Sequence, residues 1–201
     1  MSIIFFDTET TGLAPGQICQ LAYVKLFAGG EISGANYYFR VEHMPEAATE
    51  IHGLTAELLL ELSGGKTFAD FAGEISAEFS AADMLVAHNF PFDRDFLSAE
   101  LARAGKFFRY NGSFCTMRKL TPVMKLFRSD GRTYKYPRLE EVGDFFGIKE
   151  EAEMLAKTLF ADSAGFHDAR YDAALVYSAF MRLAAVNAEA NGILELLNRT
   201  A

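Results

Sequence analysis

Residues 1–13 read MSIIFFDTETTGL, and the fold turns on how this stretch is understood. Ile3 to Phe6 form an unbroken apolar run, the pattern of a strand covered on both faces, yet it stops at Asp7 and Glu9. Residues two apart in a strand project to the same side, so the two carboxylates leave the strand together. A strand reaching solvent would explain such a pair with no further meaning. The question is whether other acids share the odd placement, and two do. Asp93, Phe96, Leu97 and Leu101 fall on one helical stripe, as do Asp172, Val176, Phe180 and Leu183.

An unpaired buried charge costs several kcal/mol, on the order of 3–5, so four inward carboxylates need neutralising. Salt bridges to Arg or Lys would do it, and capping would serve Asp93 near its helix start. The third explanation is a divalent metal, since magnesium and manganese take hard oxygen ligands. Sequence alone leaves the three open.

Working outward, SIIFFDTE, QICQLAYVKLFA and EISGANYYFRV are expected as three strands, with Gly29-Gly30 turning the last two into a hairpin. A helical piece is expected at Thr55–Leu62. Thr67, with Asp70 three residues on, should cap a helix whose stripe is Phe68, Phe71, Ile75 and Phe79. MLVAH and SFCT are short strands flanking the helix PFDRDFLSAELARAG. Helices are expected near Met117–Phe127, Leu139–Phe146 and Ala169–Val186, with a short amphipathic ILELLNR at the end. Hairpin strands followed by strand–helix alternation indicate an α/β sheet with an antiparallel half. The expected division is a domain over 1–187 and a short helical tail over 188–201.

The composition is that of a globular protein of 201 residues, half hydrophobic and with 19 Phe. No stretch approaches the roughly 18 apolar residues of a membrane span. No basic residue precedes Ile3, so no signal peptide is expected, and Cys19 and Cys115 lack the spacing of a disulfide framework or zinc site. A cytoplasmic setting without a membrane partner is the expectation. Net charge is −8, but ten of the 19 Lys/Arg and only Asp130 among the acids lie between Arg103 and Arg138. That segregation fits either solvated helix faces or a single track for a polyanion. Ser63-Gly64-Gly65-Lys66-Thr67 looks like the end of a P-loop, but Leu60 stands where the first glycine belongs, so it is taken as a turn.

Three segments, FDTETTG, HNFPFDRDFL and HDARYDA, resemble in order the three motifs of the DEDDh (DnaQ-like) 3′→5′ exonucleases. IHGLT is similar to the family's segment between the first and second motifs. The likeness runs from about Ile3 to Leu183, and the short gap after the first motif and the FCTM segment look most like the exonuclease X branch. The resemblance implies a ribonuclease H-like fold, a mixed five-stranded sheet flanked by helices. It also implies Asp7, Glu9, Asp93 and Asp172 as metal-binding catalytic residues, His167 as general base, and two divalent cations, Mg2+ or Mn2+.

The chemistry accounts for those residue types. Phosphodiester hydrolysis needs an activated water, in-line attack and relief of charge on the leaving oxygen, which two ions about 3.5–4 Å apart supply. His167 precedes Asp172 by five residues, the spacing of the histidine subclass; the sister subclass puts Tyr where this chain has Asp168. Imidazole suits the task because its unperturbed pKa is about 6.5. For substrate contacts the resemblance implies Thr8, Thr10, Gly12 and Leu13 around the terminal sugar and base, with Gly12 letting the chain turn closely. His52 is the expected contact to the terminal nucleotide, with Asn89 nearby. Arg128, Arg132 and Lys135 interleave with Tyr134 in LFRSDGRTYKYPRL, a pattern that suits either single-strand gripping or an exposed loop.

The implied activity is release of nucleoside 5′-monophosphates from the 3′ end of DNA, single strands preferred. RNA trimming and polymerase proofreading are the alternatives within the class, and a homodimer or polymerase partner stays open. A catalytically silent nucleic-acid-binding module is the alternative of another class, and it would need neither the acids nor the histidine.

Overall fold

The computed structural model describes residues 1–161 and 167–199. Five strands, β1 (Ser2–Thr10), β2 (Ile18–Phe27), β3 (Ile32–Tyr38), β4 (Met84–Ala87) and β5 (Ser113–Cys115), form one sheet in the order β3-β2-β1-β4-β5. The β1–β2 and β2–β3 pairs are antiparallel and the β1–β4 and β4–β5 pairs parallel, so the sheet is mixed as expected. Gly29 and Gly30 turn the β2–β3 hairpin with φ of 92° and 89°, a region that glycine enters without steric cost.

Alternation along β1 divides the core in two. Ile4 and Phe6 face α3 (Phe68–Ala81) and α4 (Phe90–Arg103), while Ile3 and Phe5 face α8 (Ala169–Ala184). Burial of both faces is why this strand is a continuous apolar run. Phe180 of α8 packs edge-on against Phe5 at 5.2 Å and against Phe114 of β5 at 5.1 Å. The predicted capping box of α3 is present, with Asp70 accepting from the Thr67 backbone N–H at 2.7 Å. Its buried stripe runs through Ala72, and Phe71 sits partly exposed beside it, against Phe39 and Tyr37.

Helices α2 (Ala56–Leu62) and α6 (Leu139–Phe146) form where expected. Two further helices were not anticipated. α1 (Glu46–His52) is only seven residues long, too short to show a period, and ends on Gly53 with φ 74°. α7 (Lys149–Phe160) buries Ala152 and Ala156 and leaves Met154 65% exposed, so its inner stripe lacks large apolar residues. α5 (Thr116–Met124) stops short of the expected Phe127 because Lys125 takes a left-handed conformation and the chain doubles back, bridging Phe127 to Tyr134. The final helix, α9 (Ala188–Arg199), lays Ala190 and Leu197 into the core beside α8. No helix among the described residues is long and apolar enough to cross a membrane.

Truncating Phe180 to Ala should remove about 3–5 kcal/mol of stability by opening a cavity under α8. Urea unfolding should show a lower midpoint at unchanged slope.

Candidate active site

The acidic residues converge at the end of β1. This strand pairs with β4 only through Ile3, Ile4 and Phe5, so Asp7 and the residues after it run past the end of β4. On its other side β1 stays paired to β2 until Glu9 faces Gln20, after which the register slips and Thr10 faces Ile18. Such irregularities are common beside active sites, where they re-aim side chains. The crevice lies where the chain order of an open sheet reverses, a usual place for a site in α/β folds.

Glu9, Asp93 and Asp172 are buried, at 8%, 2% and 7% exposure, and Asp7 is half-buried. One ligand atom each of Glu9, His167 and Asp172 lie within 4.8 Å of one another. Asp93 comes from the opposite face, and its Oδ1 accepts from Thr8 Oγ1 at 2.8 Å. Asp7 and Asp93 stand outside the tight trio, but their charges reach it. Burial, then Asp172, Asp93, Glu9 and Asp168, push the Asp7 carboxyl far above the usual carboxylate range. Burial with Asp172, Asp168 and Asp93 raises Glu9 to about 8, and burial raises Asp93 and Asp172 to about 7.

No Arg or Lys pairs with any of these four among the described residues. The contrast is Asp168, at the start of α8. Its burial is outweighed by hydrogen bonds from Arg170, 2.6 Å away, which hold it below the usual range. Capping does not explain Asp93, because its partner is Thr8 on a strand. Asp172 Oδ2 accepts from the His167 backbone N–H at 3.2 Å, while Oδ1 is buried without a partner. An orphaned carboxylate oxygen among other unpaired carboxylates suits a cation with oxygen ligands.

His167 is exposed at the rim with φ 63°. The residues just before it, 162–166, lie outside the described part of the chain. His52, at the end of α1, uses both ring nitrogens. Nδ1 accepts from Leu54 N–H at 3.1 Å, which leaves the proton on Nε2, 3.4 Å from the Thr10 carbonyl. Burial lowers its pKa, so a neutral ring separates two cavities. One, of about 320 Å³, is lined by Thr8 to Leu13, α1 and Phe92; the other, of about 330 Å³, by Tyr38, Leu54, Leu58 and the His167–Arg170 segment. Thr8, Thr10, Gly12 and Leu13 thus share a cavity wall with Glu9, and Leu13 is 89% exposed at its mouth. The cavity needs α1 for its far wall, which no periodicity announced. Gly12 departs from expectation: its φ is not positive, and a Cβ there would meet nothing within 4 Å. The turn itself does not require glycine.

His88 is satisfied rather than free. Its Nε2 meets the Pro137 carbonyl at 2.9 Å and must donate, so Nδ1 accepts from Thr116 Oγ1 at 3.0 Å, and burial lowers the pKa to about 4. It ties the base of the basic loop to the second motif. Asn89 has φ 77°, which Asn tolerates better than most residues, and its side chain does not cap α4. In the loop, Asp130 accepts from the backbone N–H groups of Arg132 and Thr133, and the Phe127 and Tyr134 rings lie 5.0 Å apart. Lys135 is committed to Glu141, whereas Arg128 and Arg132 are exposed and have no ion pair among the described residues.

Residues 4–180 match the model of the RNase_T family, described as exonuclease. The DNA polymerase III subunit epsilon of Rickettsia conorii is 29% identical over 188 residues, covering 90% of this chain and 72% of that protein. A DNA polymerase III subunit epsilon-like protein of Rhodobacter capsulatus is 33% identical over 114 residues, but the match spans 54% of this chain and 16% of that protein. Among solved structures, exonuclease X in complex with 5′ overhanging duplex DNA superposes with a TM-score of 0.66 at 18% identity, covering 92% of this chain and 93% of that one. E. coli exonuclease I in complex with a dA16 oligonucleotide gives 0.74 at 16% identity, covering 96% of this chain and 42% of that one. The expected likeness to exonuclease X therefore holds for the fold. With the family match spanning the sheet and most of α8, this chain belongs to the RNase_T exonuclease family, the DnaQ-like nucleases.

Proposed function

We propose that this chain is a metal-dependent 3′→5′ exonuclease that removes nucleoside 5′-monophosphates from the 3′ end of DNA, single strands most readily. The observation that carries this reading is a set of four unpaired inward carboxylates, with Asp172 Oδ1 left without a partner. Asp7, Glu9, Asp93 and Asp172 would hold two divalent cations, Mg2+ or Mn2+. Bound there, the ions supply an activated water and charge relief on the phosphate and leaving oxygen.

The chain's own residues do the rest. Thr8 fixes Asp93 through its hydroxyl, and the His167 backbone N–H fixes one oxygen of Asp172. His167, at the rim and within reach of Glu9 and Asp172, takes the proton from the attacking water on its imidazole. The cavity walled by Thr8–Leu13 and α1 receives the terminal sugar and base, with the His52 ring as a surface because its nitrogens are occupied. Asn89, Arg128, Arg132 and the paired rings of Phe127 and Tyr134 serve the preceding nucleotides, the cations on phosphates and the rings on bases. Lys135 contributes less, since it is paired with Glu141.

A second reading keeps the chemistry and places it in proofreading beside a polymerase. The Rickettsia conorii relative supports it, being named as a polymerase III subunit and covered over most of its length. Coelution with a replicative polymerase subunit at micromolar concentration would favour it.

Digestion of 5′-labelled single-stranded DNA, duplex DNA and RNA side by side tests direction and substrate together. A ladder shortening from the 3′ end, fastest on single-stranded DNA and absent with chelator, is expected; RNA digested faster would reassign the substrate. Asp7→Asn and Asp172→Asn should each abolish turnover in a folded protein. His167→Ala should lower kcat at least about a hundredfold in a folded protein.

Electrostatics makes a separate prediction. Glu9, Asp93 and Asp172 hold protons to about 8, 7 and 7, against ordinary values of 4.5, 3.8 and 3.8. Folded carboxyls that outbid unfolded ones for protons make stability greatest at the acid end of that window and lower it as pH rises through it. In chelator, the contribution of this cluster to Tm should therefore fall between about pH 4.5 and 8. Added Mn2+ should raise Tm by more at pH 8 than at pH 5; an equal gain at both would contradict ion binding at these carboxylates.

Replacing Arg128 and Arg132 together by Ala should weaken single-strand binding. The slope of log affinity against log salt should flatten by about 1.4, at roughly 0.7 per phosphate contact. The same change at Lys135 alone should flatten it less.

A further inference from the structure

Gln20 is 1% exposed near the start of β2, a place where an uncharged polar side chain needs a partner for every polar atom. It has them all. Its Nε2 donates to Asn36 Oδ1 of β3 and to Asp168 Oδ1, each at 3.0 Å. Its Oε1 accepts from the Ala169 backbone N–H at 3.2 Å. The orientation of the amide is forced by chemistry, because the flipped form would set oxygen against the Asp168 carboxylate and NH2 against an N–H donor. Gln20 also stands directly opposite Glu9 in the β1–β2 register, so the two side chains leave the same face of the sheet.

These bonds converge on the first turn of α8, the residues that follow His167. Asp168 is held from its other side by Arg170, and its carbonyl accepts from the Asp172 backbone N–H at 3.0 Å. His167 itself is exposed, with its backbone in the left-handed region and its N–H donating to Asp172 Oδ2. Non-glycine residues persist there only when their surroundings hold them. Among the described residues, the hydrogen bonds that tie Asp168 and Ala169 to the sheet are made with Gln20, beside the packing of Ala169 on Ala22 of β2 and of Arg170 over the Tyr38 ring of β3.

We propose that Gln20 is a positioning residue that fixes the start of α8 to the sheet and so sets His167 against the carboxylates. The inference rests on the role proposed above for His167. Asp172 is less dependent on this tie. It sits a turn further along, in a helix anchored by Leu175, Val176, Phe180 and Leu183 in the core. Loosening Gln20 therefore frees the base while leaving the carboxylates in place.

The test is Gln20→Met, similar in length and without hydrogen bonds, in the full chain. On single-stranded DNA at saturating Mn2+, kcat should fall at least tenfold, with KM and calorimetric Mn2+ affinity within twofold of wild type. A merely structural role would move ion affinity and kcat together. Asn36→Ala provides a milder variant that withdraws Gln20's outer support without touching α8, and should lower kcat two- to fivefold at unchanged KM. A folded Gln20→Met protein with kcat within twofold of wild type overturns the proposal, as does a loss of kcat matched by a loss of Mn2+ affinity. If Gln20→Met does not fold, an Asn36→Ala protein with wild-type kcat overturns it. Wild-type protein that fails to hydrolyse DNA at all would instead remove the exonuclease reading, and this inference with it.

Discussion

Like charge confined in a buried space is the constraint around which this molecule is arranged. Burial raises the proton affinity of Asp7, Glu9, Asp93 and Asp172, repulsion from the neighbouring acids adds to it at Asp7 and Glu9, and no cation of the described chain relieves them. Asp168, a few residues away, shows that the fold can neutralise a carboxylate when it has an arginine to hand. The four are therefore not simply short of partners. They are kept apart from partners by two apolar cores, each packed against one face of β1. The aromatic contacts of Phe5, Phe180 and Phe114 on one face hold the elements that carry the unfavourable cluster.

Around that centre the polar side chains divide into those already committed and those left available. His52 and His88 use both ring nitrogens for backbone and hydroxyl partners, and burial keeps both neutral. They shape cavity walls and tie loops down. Lys135 is occupied by Glu141, while Arg128 and Arg132 stand in solvent. A stretch that looks uniformly basic in sequence is thus uneven in space, with Arg103, Lys119, Lys135 and Arg138 engaged by glutamates. Solved structures that share the fold range from a chain nearly coextensive with this one to one more than twice as long.

Much of the fold was legible because large apolar residues report their own periodicity. The strands, the capping of α3 by Thr67 and Asp70, and the Asp93 and Asp172 stripes all follow from it. α7 escaped notice because alanines fill its inner face, and α1 because seven residues complete barely two turns. The end of α5 was overestimated, since the Phe127–Tyr134 bridge that halts it joins residues whose pairing no local pattern encodes. Gly12 was credited with a backbone role that its φ does not require.

By itself, the sequence determined that acids occupy core positions on one strand and two helices, because side-chain period and apolar neighbours are local properties of the chain. Tertiary structure alone decided that they meet, that no arginine or lysine of the described chain reaches them, and that Gln20 of β2 joins the start of α8 across 149 residues. Those outcomes depend on which strands lie side by side and in what register. Charge repulsion and hydrogen bonding act through space over a few ångströms, and the spacing of residues along the chain carries no record of that distance.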